Sequence, residues 1–406
     1  MKNLFIAACF LLTASRLLAC TSAIFTGKVT ADGRPLLWKN RDTDDENNRI
    51  EFFSGKKYDF LALVNSGDKS GAAWTGVNST GFAIMNTASY NLKDDKSKAQ
   101  DNEGVLMYKA LGECSTLADF ERFLDKFPRP MGVEANFGVI DANGGAAYYE
   151  VNNVKWTKID ANDPKIAPHG YLVYTNFSYT GRHDAGMGYV RFQTATELIA
   201  RQAPLHNFTP HKIFSTLSRS FYHSILGTDL LNAAFSPENA TGWAIDQDYI
   251  PRRITMSAVV IHGVKPSENP EMTTMWTVLG YPPVGIAVPL WVKAGPRQPA
   301  SVMKSDSTNH AVLCDYALTL KRNVFPIMRG NGNKYLYFNA LYNHAGTGYM
   351  QQLAPIEAAI AKSFEPYIEK WRISGLNTAE LHSLNLSMDT LLHKTYRNLI
   401  NCSSEP

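Results

Sequence analysis

Asn143-Gly144 lies between two apolar runs, residues 136–141 and 146–151, and this pattern leaves few folds open. Asn-Gly takes up the positive φ of a tight hairpin turn, so the flanking runs read as paired antiparallel strands. The same grammar recurs. Ser79-Thr80-Gly81 separates residues 74–78 from 82–88, and Ala31-Asp32-Gly33 separates 21–26 from 35–40. Further β-type runs are expected at 59–65, 171–176, 257–262, 273–279 and 284–288. Helical patterns fall between and after them, at 104–111, 117–127, 188–201, 210–217, 308–320, 335–364 and 378–400. Thr116 with Asp119 three residues on is a helix-start signature, and Pro210 suits a first turn. No repeat or low-complexity linker divides the chain. The expectation is an α+β fold: one large domain over 20–406, with a helical part from about residue 305.

Composition limits the function. Hydrophobic residues are 45% and charged residues 19% of 406, so a large packed core is expected. A net charge of +3, with no basic stripe interleaved with aromatics, argues against nucleic acid. No Cys or His spacing suggests a metal site, and no cofactor motif occurs.

The first 19 residues read as a signal peptide. Lys2 is followed by the apolar run LFIAACFLL at 4–12, too short for a membrane helix, and small Ala19 precedes Cys20. No later run is long and apolar enough to span a bilayer. Export, to periplasm or medium, is therefore expected. Five cysteines occur. Cys9 leaves with the leader, and Cys114, Cys314 and Cys402 read equally well as one bridge or as free thiols.

Cleavage after Ala19 would turn Cys20 into an N-terminal residue. Its α-amine, of pKa about 7.7–8.0, can take the proton of its own thiol, so one residue supplies nucleophile and base. A second reading competes: Leu17-Leu18-Ala19-Cys20 resembles a bacterial lipobox, which would make this a lipid-anchored binding protein without catalysis. Cys20, however, runs straight into the β-type segment Thr-Ser-Ala-Ile-Phe-Thr, with no polar tether.

The segments Cys20-Thr-Ser-Ala-Ile-Phe-Thr-Gly and Ala31-Asp-Gly-Arg-Pro-Leu-Leu-Trp-Lys-Asn40-Arg-Asp42 resemble the opening of N-terminal-nucleophile (Ntn) cysteine hydrolases. The relatives resembled are choloylglycine hydrolases, acid-ceramidase-like amidases and penicillin acyltransferases. The resemblance implies a four-layer αββα sandwich and hydrolysis of a linear carbon–nitrogen amide bond through a Cys20 thioester. It implies that Asp42 contacts the nucleophile's amine. Gly76-Val-Asn-Ser-Thr-Gly-Phe-Ala-Ile-Met-Asn86 resembles the hairpin that brings an oxyanion-hole amide, here Asn86. Tyr171-Leu-Val-Tyr-Thr-Asn176 implies a second active-site amide at Asn176. Gly188-Tyr-Val-Arg191-Phe implies a pocket arginine, Arg191, that favours the thiolate and orients Asp42. Where several relatives place Arg three residues before the Asp, this chain has Lys39, which keeps the charge without the bidentate fork. Arg41, by strand alternation, points to the opposite face from Asp42. Residues 273–283 also resemble secreted N-terminal-Cys dipeptidases. Substrates of this kind are small N-acyl amines, and an entering amine in place of water would make the same site an acyltransferase. The C-terminal helices read as packing or homo-oligomer contacts.

Mass spectrometry of the exported protein should find Cys20 at the N-terminus with a bare α-amine. A diacylglyceryl group on Cys20 would end the hydrolase reading, because a blocked amine cannot act as base.

Overall fold

The computed structural model describes residues 19–68, 71–93, 95–99, 101–233, 241–305 and 307–402. The expected leader, with Lys2, Cys9, Leu17 and Leu18, lies outside the described residues except for Ala19.

The chain begins with β1 (Thr21–Phe25) and β2 (Leu36–Asp42), then a meander: β3 (Asn48–Phe53), β4 (Phe60–Asn65), β5 (Thr75–Asn78), β6 (Ala83–Ala88). Two helices, α1 (Glu103–Glu113) and α2 (Leu117–Lys126), precede β7 (Ala135–Ile140), β8 (Ala146–Val151), β9 (Trp156–Asp160) and β10 (Tyr171–Tyr174). There follow α3 (Tyr189–Gln202), α4 (Pro210–Ile213), the ribbon β11 (Tyr222–His223) and β12 (Thr228–Asp229), and α5 (Leu230–Ala233). The chain continues with β13 (Trp243–Ile245), β14 (Thr255–His262), β15 (Thr274–Leu279) and β16 (Val288–Leu290). It ends with α6 (Val312–Val324), β17 (Tyr335–Tyr337), α7 (Tyr349–Ser374) and α8 (Thr378–Cys402).

The strands form two large antiparallel sheets. One has six strands in the order β10-β1-β2-β14-β15-β16, and the other has seven in sequence order, β3 to β9. Alternation along the strands sorts the side chains into layers. Ile24 and Leu37 of the first sheet and Leu61, Leu63 and Met85 of the second meet in one buried core between the sheets. Phe60, Ala62 and Ile84 point the other way, onto α1 and α2. Phe25, Leu36 and Trp38 point outward onto α3 and α4. Helices, sheet, sheet, helices: the fold is a four-layer αββα sandwich of the α+β class, with added C-terminal helices.

Local chemistry sets the turns as the sequence suggests. Gly144 takes φ +88° and Gly81 φ +79°, where an L side chain would be strained. Asn78 Oδ1 accepts from the Thr80 and Phe82 amides, closing the β5–β6 hairpin. Thr116 caps α2 by accepting from the Asp119 amide, and Asp119 reaches back to Ser115.

Two expectations need correction. Of the strand expected at 284–288, only Val288 is in one. Pro282 and Pro283 open a 3-10 turn, and β16 starts only at Val288. The helix expected at 335–364 is instead β17 followed by a loop, then α7. Gly346, at φ +72°, lies in the intervening loop and favours a turn over helix. Cys114, Cys314 and Cys402 are free thiols, the first two buried.

α6, α7 and α8 complete the inter-sheet core at one end, where Trp291 meets Phe364 and Trp371 at 5.9 and 5.8 Å. One buried ion pair ties α7 to the segment after α4. Arg219 donates to both Glu357 oxygens at 2.9 and 2.6 Å, and the Ala287 amide donates to Glu357 at 2.7 Å. Burial alone would raise the Glu357 pKa, but the Arg219 charge and these donors outweigh it and hold it at about 2.

Glu357→Ala should cost about 3–5 kcal/mol in urea unfolding, because it strands a buried guanidinium. The carboxylate's contribution is present above the unfolded carboxyl pKa of about 4.3 and is lost as pH falls towards 2. The stability gap between wild type and Glu357→Gln should therefore shrink on acidification through that window. A constant gap would show that Glu357 titrates normally.

Candidate active site

β1 lies between β10 and β2, and its start carries Cys20. The register pairs Thr21 with Asn40 and Ser22 with Lys39, so Cys20, just before β1, comes to the end of β2 that carries Arg41 and Asp42. Ile24 and Leu37 on these strands face the inter-sheet core, so Cys20, Lys39 and Arg41 face the second sheet. The core stops short of this end. A cavity of about 680 Å³ takes its place, lined among others by Cys20, Lys39, Arg41, Asp42, Trp74 and Asn86. A separate cavity of about 500 Å³ beside α7 contains none of them.

Lys39 crosses from β2 to the facing sheet. Its Nζ donates to Asn86 Oδ1 and to the Trp74 carbonyl, both at 2.8 Å. An ammonium has only donors, so Asn86 must turn its oxygen to Lys39. The Asn86 Nδ2 is thereby left without a protein acceptor among the described residues, on a side chain that lines the same cavity as Cys20. Burial pulls the Lys39 pKa down to about 8, with the neighbouring Arg41 charge adding to the shift and Asp42 opposing it.

Asp42 is held from both sides. Thr255 Oγ1 donates to Oδ1 at 2.5 Å and Arg252 Nη2 to Oδ2, the latter guanidinium also reaching the Ala19 carbonyl at 3.4 Å. A bulge in β14 between Thr255 and Ser257 brings Thr255 opposite Asp42. This carboxylate lines the same cavity as Cys20.

Arg191 and Asn176 sit behind the cavity rather than on its wall. Arg191 Nη1 donates to the Cys20 carbonyl at 2.6 Å and to Thr21 Oγ1 at 2.8 Å, and Nη2 donates to Asn176 Oδ1 at 2.9 Å. The Asn176 Nδ2 donates to the Ala88 carbonyl at 2.9 Å. Both groups brace the backbone of Cys20 and of β6. Burial lowers the Arg191 pKa to about 10. The orienting partner of Asp42 is Arg252, not Arg191.

Of the residues singled out in the sequence, Cys20, Asp42, Asn86 and Lys39 share the cavity, and Arg191 and Asn176 support it. Sequence reasoning missed Arg252, Thr255 and Trp74. The first two stand 210 and 213 residues from Asp42, and no spacing rule joins them; a basic pair just before a β-run, Arg252-Arg253, was the only local signal.

No protein-family model and no curated protein matches this sequence. Solved structures do. A Caenorhabditis elegans N-acylethanolamine-hydrolyzing acid amidase ortholog shares 15% identity over 60% of this chain and 92% of its own, with TM-score 0.37. A conjugated bile acid hydrolase from Clostridium perfringens shares 12% over 64% and 89%, TM-score 0.36. A penicillin V acylase from Agrobacterium tumefaciens shares 13% over 64% and 83%, TM-score 0.35. These are distant likenesses.

With a folded pKa near 8 against about 10.4 unfolded, charged Lys39 carries a burial cost that is full below pH 8 and fades as pH rises towards 10.4. Wild type should thus gain stability relative to Lys39→Met between pH 8 and 10, measured by urea unfolding. A difference that does not change over this range would mean Lys39 titrates as an ordinary lysine.

Proposed function

We propose that this chain is an exported hydrolase of linear amide bonds in small N-acyl amines, with Cys20 as its N-terminal nucleophile. The observation that carries the reading is the Lys39–Asn86 hydrogen bond. It commits one face of a buried amide and leaves a pre-oriented N–H donor in the cavity that Cys20 lines. The motifs from Cys20 to Arg191, which resemble Ntn cysteine hydrolases, support it.

The chemistry follows from the groups. The Cys20 α-amine takes the thiol proton as Sγ bonds to the substrate carbonyl carbon. The carbonyl oxygen becomes an oxyanion and accepts from Asn86 Nδ2. On collapse the carbon–nitrogen bond breaks, the ammonium of Cys20 protonates the departing amine, and a thioester remains. Water then attacks, giving a proton to the α-amine. The carbon–sulfur bond breaks, the acid leaves, and the thiol recovers its proton. Asp42, held by Arg252 and Thr255, fixes the α-ammonium and supports its basicity. Lys39, Arg41 and Arg191 supply positive charge around the reacting sulfur, and Arg191 also holds the Cys20 carbonyl. An amine in place of water at the second step gives acyl transfer from the same thioester. Cys20 is 6% exposed and leads directly into β1, which disfavours a lipid anchor at this residue.

Cys20→Ser in correctly processed protein should lose nearly all amidase activity with its urea midpoint unchanged. One extra residue before Cys20 should do the same, since it converts the amine to an amide. Asn86→Ala should lower kcat about 10²- to 10³-fold with a smaller change in KM. Activity retained by Cys20→Ser on a substrate the wild type cleaves would defeat the mechanism.

A further inference from the structure

The cavity that holds Cys20 is divided by charge. Cys20, Lys39 and Arg41 line it from the β1–β2 side, and Asp42 on that side is bound to Arg252 and Thr255. The rest of the lining is acidic. Asp101 and Glu103 stand at the start of α1, Glu134 just before β7, and Asp44 and Asp45 on the loop after β2. Lys93 is the one cation in this stretch among the described lining residues.

Glu103 and Glu134 are held in place without being neutralised. Glu103 Oε1 accepts from the Glu134 amide at 3.1 Å, and Glu134 Oε1 accepts from the Leu92 and Lys93 amides, both at 2.8 Å. The second oxygen of each side chain has no hydrogen-bond partner among the described residues, and neither carboxylate is ion-paired there. Burial pushes the Glu103 carboxyl up to about 7; the Glu134 amide opposes the shift, and the Asp101 and Glu134 charges add to it. Like charges gathered without a counter-ion repel, and a cation placed among them relieves the repulsion and takes up the open oxygens.

That the cavity receives a ligand has separate support. Asn86 is 5% exposed, yet its Nδ2 is left in the cavity without a protein acceptor among the described residues. It marks the place of a substrate carbonyl on the Cys20 side. A molecule that satisfies both sides carries its amide at Cys20 and Asn86 and a positive group at the two glutamates. All four residues line one space of about 680 Å³, which a tether of a few carbons crosses.

We propose that Glu103 and Glu134 are specificity-determining residues that receive an ammonium group carried a few bonds from the scissile amide, as in a singly acylated diamine. The proposal deepens the Cys20 reading and rests on it for turnover, but not for binding.

The test uses processed protein and two matched pairs of probes. In the first pair the ammonium lies on the amine half, N-octanoylputrescine against N-octanoylpentylamine. In the second it lies on the acyl half, N-(ω-aminohexanoyl)octylamine against N-heptanoyloctylamine. Binding is measured by calorimetry to the Cys20→Ala variant, and turnover by release of the free amine from wild type. The cationic member of at least one pair should bind at least about 10-fold more tightly than its neutral partner, the scale of a charge-assisted hydrogen bond, and the pair that responds identifies the half. Glu103→Gln and Glu134→Gln keep an acceptor for the neighbouring amides and remove the charge, so each should lower that ratio at least about threefold. Ratios near one in both pairs, or no detectable binding of either cationic probe, overturn the proposal whether or not the glutamine variants fold. A smaller change than threefold in a folded glutamine variant overturns the assignment of that residue. Preference for the cation in binding without turnover by wild type leaves the glutamates standing and counts against the nucleophile.

Discussion

Lys39 spans the gap between the two sheets, from β2 to Asn86 on β6, and the geometry of this end of the sandwich hangs on that bond. Elsewhere the gap is filled by apolar side chains that interlock by shape. At this end the fillers are charged, and shape alone would not orient them. A single ammonium with two carbonyl-type acceptors sets the separation of the sheets, the direction of an amide and the width of the cavity together. The burial that makes Lys39 unfavourable as a cation also strengthens each hydrogen bond it forms.

The same logic extends outward. Arg191 and Arg252 do not face the cavity as free charges; each is tied to backbone or carboxylate on the outer side of β1 and β2. They hold Cys20 and Asp42 from behind, so the residues in front have little freedom to rearrange. Substrate would meet a site already ordered, which keeps the reorganisation during charge development small. The bulge in β14 is part of this arrangement, since it is what brings Thr255 opposite Asp42.

The parts of this structure legible in the sequence are those written locally. Asn143-Gly144, Ser79-Thr80-Gly81 and Thr116 specify turns and a cap through their own backbone chemistry, and those elements lie where expected. β3 and β9 were not legible. Both are outer strands of their sheet with mixed polar and apolar residues, so alternation is blurred. The helix expected over 335–364 failed because apolar spacing continues through a glycine-containing loop. In the site, residues near Cys20 in sequence could be ordered by motif. The partners of Asp42 could not, because they arrive through strand pairing with a segment more than 200 residues away. Arg41 was visible by alternation, but only the third dimension reveals Trp74 beneath it.

That strand pairing has a kinetic side. β1 sits between β2 and β10, and β2 between β1 and β14. Until residues 255–262 exist and dock, β2 has an unpaired edge, and the β1–β2 hairpin is a two-stranded piece of little independent stability. Contacts of such long sequence separation fold slowly, since long loops must close before the pairing rewards them. An apolar edge left open for that interval would invite pairing with other chains. β2 carries Lys39 and Arg41 on its inward face, and inward-pointing charges discourage edge-to-edge association. The residues that shape the cavity of the finished protein thus also guard an immature strand while the chain is still incomplete.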